Sequence, residues 1–242
     1  MIVLFTDFGL AGPYTGQMKA VLAREAPGVP VIDLFADAPA FDPKLSAYLL
    51  AAYAPWFPAG TVFLCVVDPG VGTERPAVVV EADGRWFVGP GNGLFELVLR
   101  RAERARVWRI AWTPSDLSAS FHGRDLFAPI AAELAVRGPT ERLAPLYPAA
   151  VRRPDWPDDL PQVVYVDVYG NAMTGLRATV VSPSISLLVA GRRVSPGRTF
   201  GEVPEGEALW YKNSTGLVEI AVNRGRAADT LGLSPGTDVA LG

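Results

Sequence analysis

One histidine, His122, and one cysteine, Cys65, are all that 242 residues offer of two common zinc ligands. Two such side chains cannot supply the four nitrogen and sulfur donors of a structural zinc site. A lone cysteine also rules out an intrachain disulfide. Its position inside the apolar run 61–67 reads as packing. Counting does not exclude magnesium held by carboxylates, but no spacing points to it, so neither a metal nor a cofactor is implied. Positive charge is scarce as well. Lys and Arg number 22 against 25 Asp and Glu, a net charge of −3. No basic patch is present to follow a nucleic-acid backbone. No apolar run reaches the roughly 18 residues of a membrane helix. The start, MIVLFTDFGL, has no charged leader and meets Asp7 early, so it reads as neither signal peptide nor anchor. A soluble, cytoplasmic protein is expected. Asparagines number four, Asn92, Asn171, Asn213 and Asn223, against 22 prolines. Heat-adapted chains share that bias, and so do GC-rich coding sequences, so it decides nothing.

What is present suits a packed core: 50% hydrophobic residues and 19% charged. The first part alternates strand and helix signals. Apolar runs at 2–6, 29–35 and 61–67 read as buried strands. Asp83-Gly84 reads as a hairpin turn between 77–82 and 86–88, and 107–111 as a further strand. Pro13 is placed to open a helix at its first position, and Asp42-Pro43 to cap another. Helices are also expected over 94–101 and 125–136. This pattern predicts an α/β domain, residues 1–152, with a largely parallel central sheet. Residues 153–162, rich in proline and aspartate, read as a linker. Short turn-separated apolar stretches follow at 163–168, 178–181, 185–189, 208–211, 218–222 and 238–241. They predict a smaller all-β, barrel-like domain over 163–242.

Several segments carry polar chemistry beside strand ends. Asp7, in Thr6-Asp7-Phe8-Gly9, either starts a turn or receives two ribose hydroxyls, as acidic residues do in nucleotide folds. Asp68-Pro-Gly-Val-Gly-Thr-Glu-Arg75 follows a buried strand, where open α/β folds place ligands. It is a wide turn, or a loop whose glycines let the backbone approach a ligand. The glycine-rich stretch at 89–93 lacks the Lys-Ser/Thr of a phosphate loop. Phe121-His122-Gly123-Arg124-Asp125 holds the only imidazole. In the second domain, 166–171 breaks a strand with Asp, Gly and Asn, 211–216 is a polar loop, and 223–228 reads as a helix start. Phe8, Phe41 and Tyr169 lie in or near turns. There they anchor loops, stack on a base, or face a sulfonium through a cation–π contact.

Taken in order, these pieces resemble the S-adenosyl-L-methionine hydroxide adenosyltransferase family, which is related to the fluorinases and chlorinases. The matching segments are TDFG at 6–9, the turn at Phe41-Asp42, DPGVGTERP at 68–76, GPGNGLF at 89–95, FHGRDLFAP at 121–129, VDVYGN at 166–171 and NSTGLVEIAVNRGRAADTLGL at 213–233. The resemblance implies hydrolysis of S-adenosylmethionine to adenosine and methionine. It also implies a homotrimer with each site between the N-terminal domain of one subunit and the C-terminal domain of its neighbour. On this footing Asp68, Arg75 and His122 form the catalytic set acting on water. Asp7 holds the ribose hydroxyls and Phe41 lies against the sugar. Asp167 and Ser214 hold the methionine end. Asn171 and the backbone near Ala227 read adenine, and Tyr169 packs on the base. Two other readings compete. A halide-using transferase calls for small uncharged residues around the halide, which Asp68 and His122 oppose. A non-catalytic binder keeps Asp7, Asn171 and Ser214 but has no need of Asp68, Arg75 and His122 together.

Overall fold

The computed structural model describes all residues, 1–242. It divides into two compact units, Met1–Pro154 and Asp155–Gly242, each built on a seven-stranded sheet.

In the first unit the early apolar runs become β1 (Ile2–Thr6), β2 (Val31–Phe35) and β3 (Val62–Val66). β1 lies between the other two and runs parallel to both. β1 and β3 are buried throughout, and strands covered on both faces read as continuous apolar runs. Asp83 and Gly84 adopt φ of 47° and 77°, the left-handed backbone of a tight hairpin. They join β4 (Ala77–Ala82) to β5 (Arg85–Pro90) antiparallel. β5 lies parallel beside β3. The two come so close that a Cβ on Gly89 would stand 2.2 Å from the Cys65 carbonyl oxygen. β6 (Ala105–Ile110) and β7 (Leu143–Pro145) complete the order β2-β1-β3-β5-β4-β6-β7. Parallel pairing is confined to β2, β1, β3 and β5. The hairpin reverses direction at β4, and β6 and β7 pair antiparallel beyond it, so the sheet is mixed.

Helices cover both faces. α1 (Tyr14–Glu25) and α4 (Ala128–Arg137) supply Met18, Leu22, Ile130 and Ala131 to a core with Ile2, Leu4, Val62 and Leu64. Alternate strand residues point the other way. There Phe63 stacks on Phe87 at 4.9 Å, and Phe35 meets both Phe5 and Tyr53, the last residue of α2 (Pro43–Tyr53). Asp42 caps α2 as expected, its Oδ1 accepting the Leu45 N–H at 2.9 Å. Pro13 occupies the N-cap of α1, one position before the helix proper. The helix expected over 94–101 shortens to α3 (Glu96–Arg101): residues 93–96 form a tighter turn, Glu96 N–H to Gly93 O at 2.9 Å, and the Leu94 N–H is taken by Asn92 Oδ1 at 3.2 Å. The helix expected over 125–136 opens instead with a π-helical turn, Gly123–Phe127, before α4. At the sheet edge, Asp33 in the middle of β2 forms an ion pair with Lys19 of α1.

The second unit contains β8 (Leu160–Val166), β9 (Ala172–Arg177), β10 (Leu187–Val189), β11 (Arg192–Pro196), β12 (Ala208–Lys212), β13 (Leu217–Val222) and β14 (Val239–Leu241). Their order is β14-β10-β11-β12-β13-β9-β8. Val163 bonds across to Thr237 and Gly236, each at 2.8 Å, drawing the approach to β14 against β8. The sheet thereby curls nearly into a barrel. α5 (Ala227–Leu231) packs Ala227 and Leu231 into its core. The strand expected at 178–181 is instead a 3₁₀ turn, Ala178–Val180, closed by Val181 N–H to Ala178 O. The last residues of the stretch read as a linker already belong to β8, where Leu160 pairs with Gly175. β11 was not expected, because Arg192 and Arg193 interrupt its apolar pattern.

Candidate active site

β1 and β3 are parallel neighbours, so Asp7 and Asp68, just past their C-terminal ends, emerge at one edge of the sheet. In open α/β sheets ligands bind at that edge. The loop after Asp68 folds on itself: Val71 N–H bonds to Asp68 O at 3.2 Å, and Thr73 Oγ1 donates to Gly70 O at 2.7 Å. Gly72 has a φ of 78°, and a Cβ there would lie 2.6 Å from the Ala119 carbonyl oxygen. Only glycine lets this loop close against the segment that leads to His122. The glycine-rich stretch at 89–93 has a structural part in this arrangement. Asn92 Nδ2 donates to Val67 O at 2.9 Å, immediately before Asp68.

Arg75 draws the three groups together. Its Nε donates to Asp68 Oδ1 at 2.9 Å and its Nη2 donates to Asp68 Oδ2. The same Nη2 lies 3.0 Å from His122 Nδ1. The guanidinium packs over the Phe127 ring, 5.3 Å from its centroid. Side-chain exposure is 10% for Arg75 and 4% for Asp68, so this is a buried, forked ion pair. A guanidinium has no lone pair to offer, so His122 Nδ1 must be the acceptor in that contact. The imidazole is therefore neutral and carries its proton on Nε2. Burial, and then the Arg75 cation, hold His122 below the usual histidine range, against the opposing pull of Asp68 and Asp125.

Asp68 and His122 line a cleft of about 320 Å³ together with Asp7 and Phe41. Burial, with a smaller push from Asp68, raises Asp7 above the ordinary carboxylate range, although the Phe41 N–H works against this. That N–H donates to Asp7 Oδ2 at 2.9 Å. Phe41 has a φ of 58° and is 77% exposed. An aromatic residue in the left-handed region is unusual, and here the Asp7 carboxylate holds it there. Phe8, Tyr14 and Phe121 form the cleft's aromatic wall, with ring centroids 5.4–5.8 Å apart. Tyr14 escaped sequence reading, because an aromatic in the first turn of a helix looks like any core residue.

In the second unit, Tyr169 and Asn171 line one cleft of about 590 Å³, together with Phe200 and Arg226. Ala227 follows Arg226 and is fully buried. Asp167 and Ser214 are not among the residues lining it. Asp167 shapes the turn instead: Oδ1 accepts the N–H groups of Tyr169 and Asn171 at 2.9 and 2.8 Å, and Oδ2 accepts from Asn171 Nδ2 at 3.1 Å. One arm of the Asn171 amide is therefore already engaged. Tyr169 is 73% exposed on this turn. Ser214 is exposed at the tip of the β12–β13 connection.

Residues 2–144 match the family profile of the SAM hydroxide adenosyltransferase N-terminal domain, and residues 161–240 match that of the C-terminal domain. The chain is 45% identical to the (R)-S-adenosyl-L-methionine hydrolase of Thermus thermophilus, over 99% of this chain and 98% of that protein. A fluorinase from Actinopolyspora mzabensis is a more distant relative, 24% identical over 99% of this chain and 96% of its own length. A crystal structure of an uncharacterized conserved protein from Thermotoga maritima superposes with a TM-score of 0.88 at 31% identity, covering the whole of both chains. Both halves of the sequence match in order, and within the matched N-terminal half Asp68 and His122 line one cleft with Arg75 bonded to both: the chain belongs to the SAM hydroxide adenosyltransferase family.

Proposed function

We propose that the protein hydrolyses S-adenosyl-L-methionine to adenosine and L-methionine, with Asp68, Arg75 and His122 acting on the attacking water. The observation that carries this reading is the Arg75 fork, which binds the Asp68 carboxylate and His122 Nδ1 at once. The water oxygen attacks ribose C5′, the C5′–sulfur bond breaks, and its electron pair returns to sulfur. The leaving thioether is neutral and needs no acid. What remains is to hold the water in line and remove its proton, and positioning alone lowers such barriers considerably. His122 Nδ1 is occupied by Arg75, so His122 donates from Nε2 to the water oxygen. Asp68 keeps free lone pairs and takes the proton.

Asp7 and Phe41 hold the ribose. Tyr169, Asn171 and the backbone at Ala227 receive adenine, and Asp167 and Ser214 the methionine end. We assign the working form as a homotrimer in the cytoplasm, in which the first unit of one subunit and the second unit of a neighbour enclose one ligand. Light scattering that returned a monomer would remove this assembly. A halide-dependent transfer is disfavoured by the Asp68 carboxylate, which repels an anion beside it. Incubation with S-adenosylmethionine, with and without halide, followed by chromatography, tests the reading. Adenosine should form at the same rate in both and should survive added chelator. A 5′-halogenated nucleoside as the main product would refute hydrolysis.

A further inference from the structure

β13 buries a carboxylate that the proposed reaction does not use. Glu219 is 4% exposed, in a strand whose other residues are all buried and uncharged. Val218, Ile220 and Val222 enter the core, so Glu219 lies on the opposite face of the strand. Burying a carboxylate is costly unless its lone pairs are met. Here both oxygens are met. Tyr211, its cross-strand partner on β12, donates its hydroxyl to Oε1, and Asn213 Nδ2 donates to Oε2 at 2.9 Å. Two donors aimed at two oxygens fit the ionised carboxylate.

Asn213 is itself 7% exposed and opens the turn that carries Ser214. Its Oδ1 accepts the Thr215 N–H, the Thr215 hydroxyl and the Leu217 N–H at 2.9–3.0 Å. Its backbone closes the turn with Leu217 and Gly216. The amide needs its oxygen on the turn and its nitrogen on Glu219, so the carboxylate fixes which way Asn213 faces. Burial raises both Glu219 and Tyr211; the Glu219 carboxylate raises Tyr211 further, and the Asp167 charge adds a smaller push to each. The Asp167 turn runs directly into β9, whose Ala172 and Met173 pair with Ile220 and Glu219 of β13, so the two segments assigned to the methionine end, the Asp167 turn and the Ser214 turn, both adjoin the strand that carries Glu219.

We infer that Glu219 is a positioning residue for substrate binding: through Asn213 it sets the conformation of the Ser214 turn, which receives the amino-acid end of the ligand. This rests on the proposed function. The role separates two ligands that share a nucleoside. S-adenosylmethionine has an amino-acid end and depends on the turn; adenosine lacks that end and does not.

The test compares KM for S-adenosylmethionine with the inhibition constant of adenosine. Glu219→Leu removes the acceptor of Asn213. A hydrogen bond to a charged group corresponds to about 10- to 100-fold in an equilibrium constant. KM should rise by about that factor, with kcat and the adenosine constant within about twofold of wild type. Glu219→Gln should restore KM, because its oxygen accepts from Asn213 while its amide donates to the Tyr211 oxygen. A role confined to stability would lower Tm without changing the ratio of the two constants. Asn213→Ser cuts the same link from the turn's side while keeping a hydroxyl for the Thr215 N–H, and it decides the matter if Glu219→Leu does not fold. An unchanged ratio in folded Glu219→Leu or Asn213→Ser overturns the inference. Wild-type protein without hydrolysis would instead count against the proposed function, so the two failures are distinct.

Discussion

Replacing Arg75 with methionine tests the centre of the site, because an unbranched apolar stem is kept while the fork, and with it the guanidinium over the Phe127 ring, is lost. Asp68 is then a 4%-exposed carboxylate without its cation. Breaking a buried pair from one side costs about 3–5 kcal/mol. Folded domains have about 5–15 kcal/mol to lose, so the variant should fold with a lower midpoint in urea. His122 should respond in a defined direction. In the native protein burial and the Arg75 cation hold it low, while Asp68 and Asp125 pull it up. Without Arg75 the two carboxylates act with less opposition, and its pKa rises. His122 is the only histidine, so its ring signals in an NMR titration need no assignment. The native imidazole should show the Nε2–H tautomer and titrate below 6.5, the ordinary value. A lowered histidine pKa means that the unfolded chain binds the proton more readily. The stability linked to His122 is therefore full above the unfolded value and lost as pH falls through the folded one. This window should narrow in Arg75→Met. Hydrolysis should fall by about 10²–10⁴-fold, the range for a disabled general base. A native Nδ1–H tautomer, or an imidazole that titrates no higher in the variant, would refute the reasoning.

Other outcomes follow from the same geometry. Asp68→Ala and His122→Ala should each slow adenosine formation by about 10²–10⁴-fold while adenosine still binds in calorimetry. The double variant should lose less than the product of the two if both hold one water. Asp7→Asn should weaken adenosine binding, since hydrogen bonds to a charged group contribute about 1.5–3 kcal/mol each. Because the Asp7 pKa is raised, native affinity for adenosine should fall as pH drops through that raised value, and an affinity flat across the acid range counts against the assignment. Glu96 is fully buried and accepts from Arg100 at 2.6 Å, from Arg152 at 2.8 Å and from the Arg153 N–H at 2.7 Å. Glu96→Gln leaves those cations without their counter-charge and should cost about 3–5 kcal/mol, read from chemical denaturation. A cost under about 1 kcal/mol, the worth of an exposed pair, would show that the cluster is solvated.

The parts of the site legible in sequence are those whose chemistry is local. Asp68 and Arg75 lie seven residues apart in one glycine-bearing loop after an apolar strand, and the forked pair forms within that loop. His122 stood out because no other imidazole competes with it. The link between them was not legible, since Arg75 reaches His122 across 47 positions and only the fold sets that distance. Tyr14 and Phe200 were hidden for another reason: aromatics fill cores and line clefts alike. Glu219 lay within Leu-Val-Glu-Ile-Ala-Val, where a charge in a strand ordinarily marks a solvent face. The fold shows the same division. The Asp83-Gly84 hairpin was plain from two residues, but its effect, turning half of the sheet antiparallel, depends on strand order, which no local pattern encodes.

The edge strand β2 has a consequence for how this protein behaves at high concentration. Val-Ile-Asp-Leu-Phe, residues 31–35, would be a strongly self-associating pentapeptide if its third residue were apolar, because an open edge is a template for another chain. Asp33 places a charge at the centre of that edge, exposed and held by Lys19. Stacking a second copy in register would bring carboxylates together, and like charges directly opposite one another oppose pairing. A single residue thus acts as a gatekeeper for the border of the sheet. Neutralising it should leave the cleft intact while making the protein prone to fibrous aggregation.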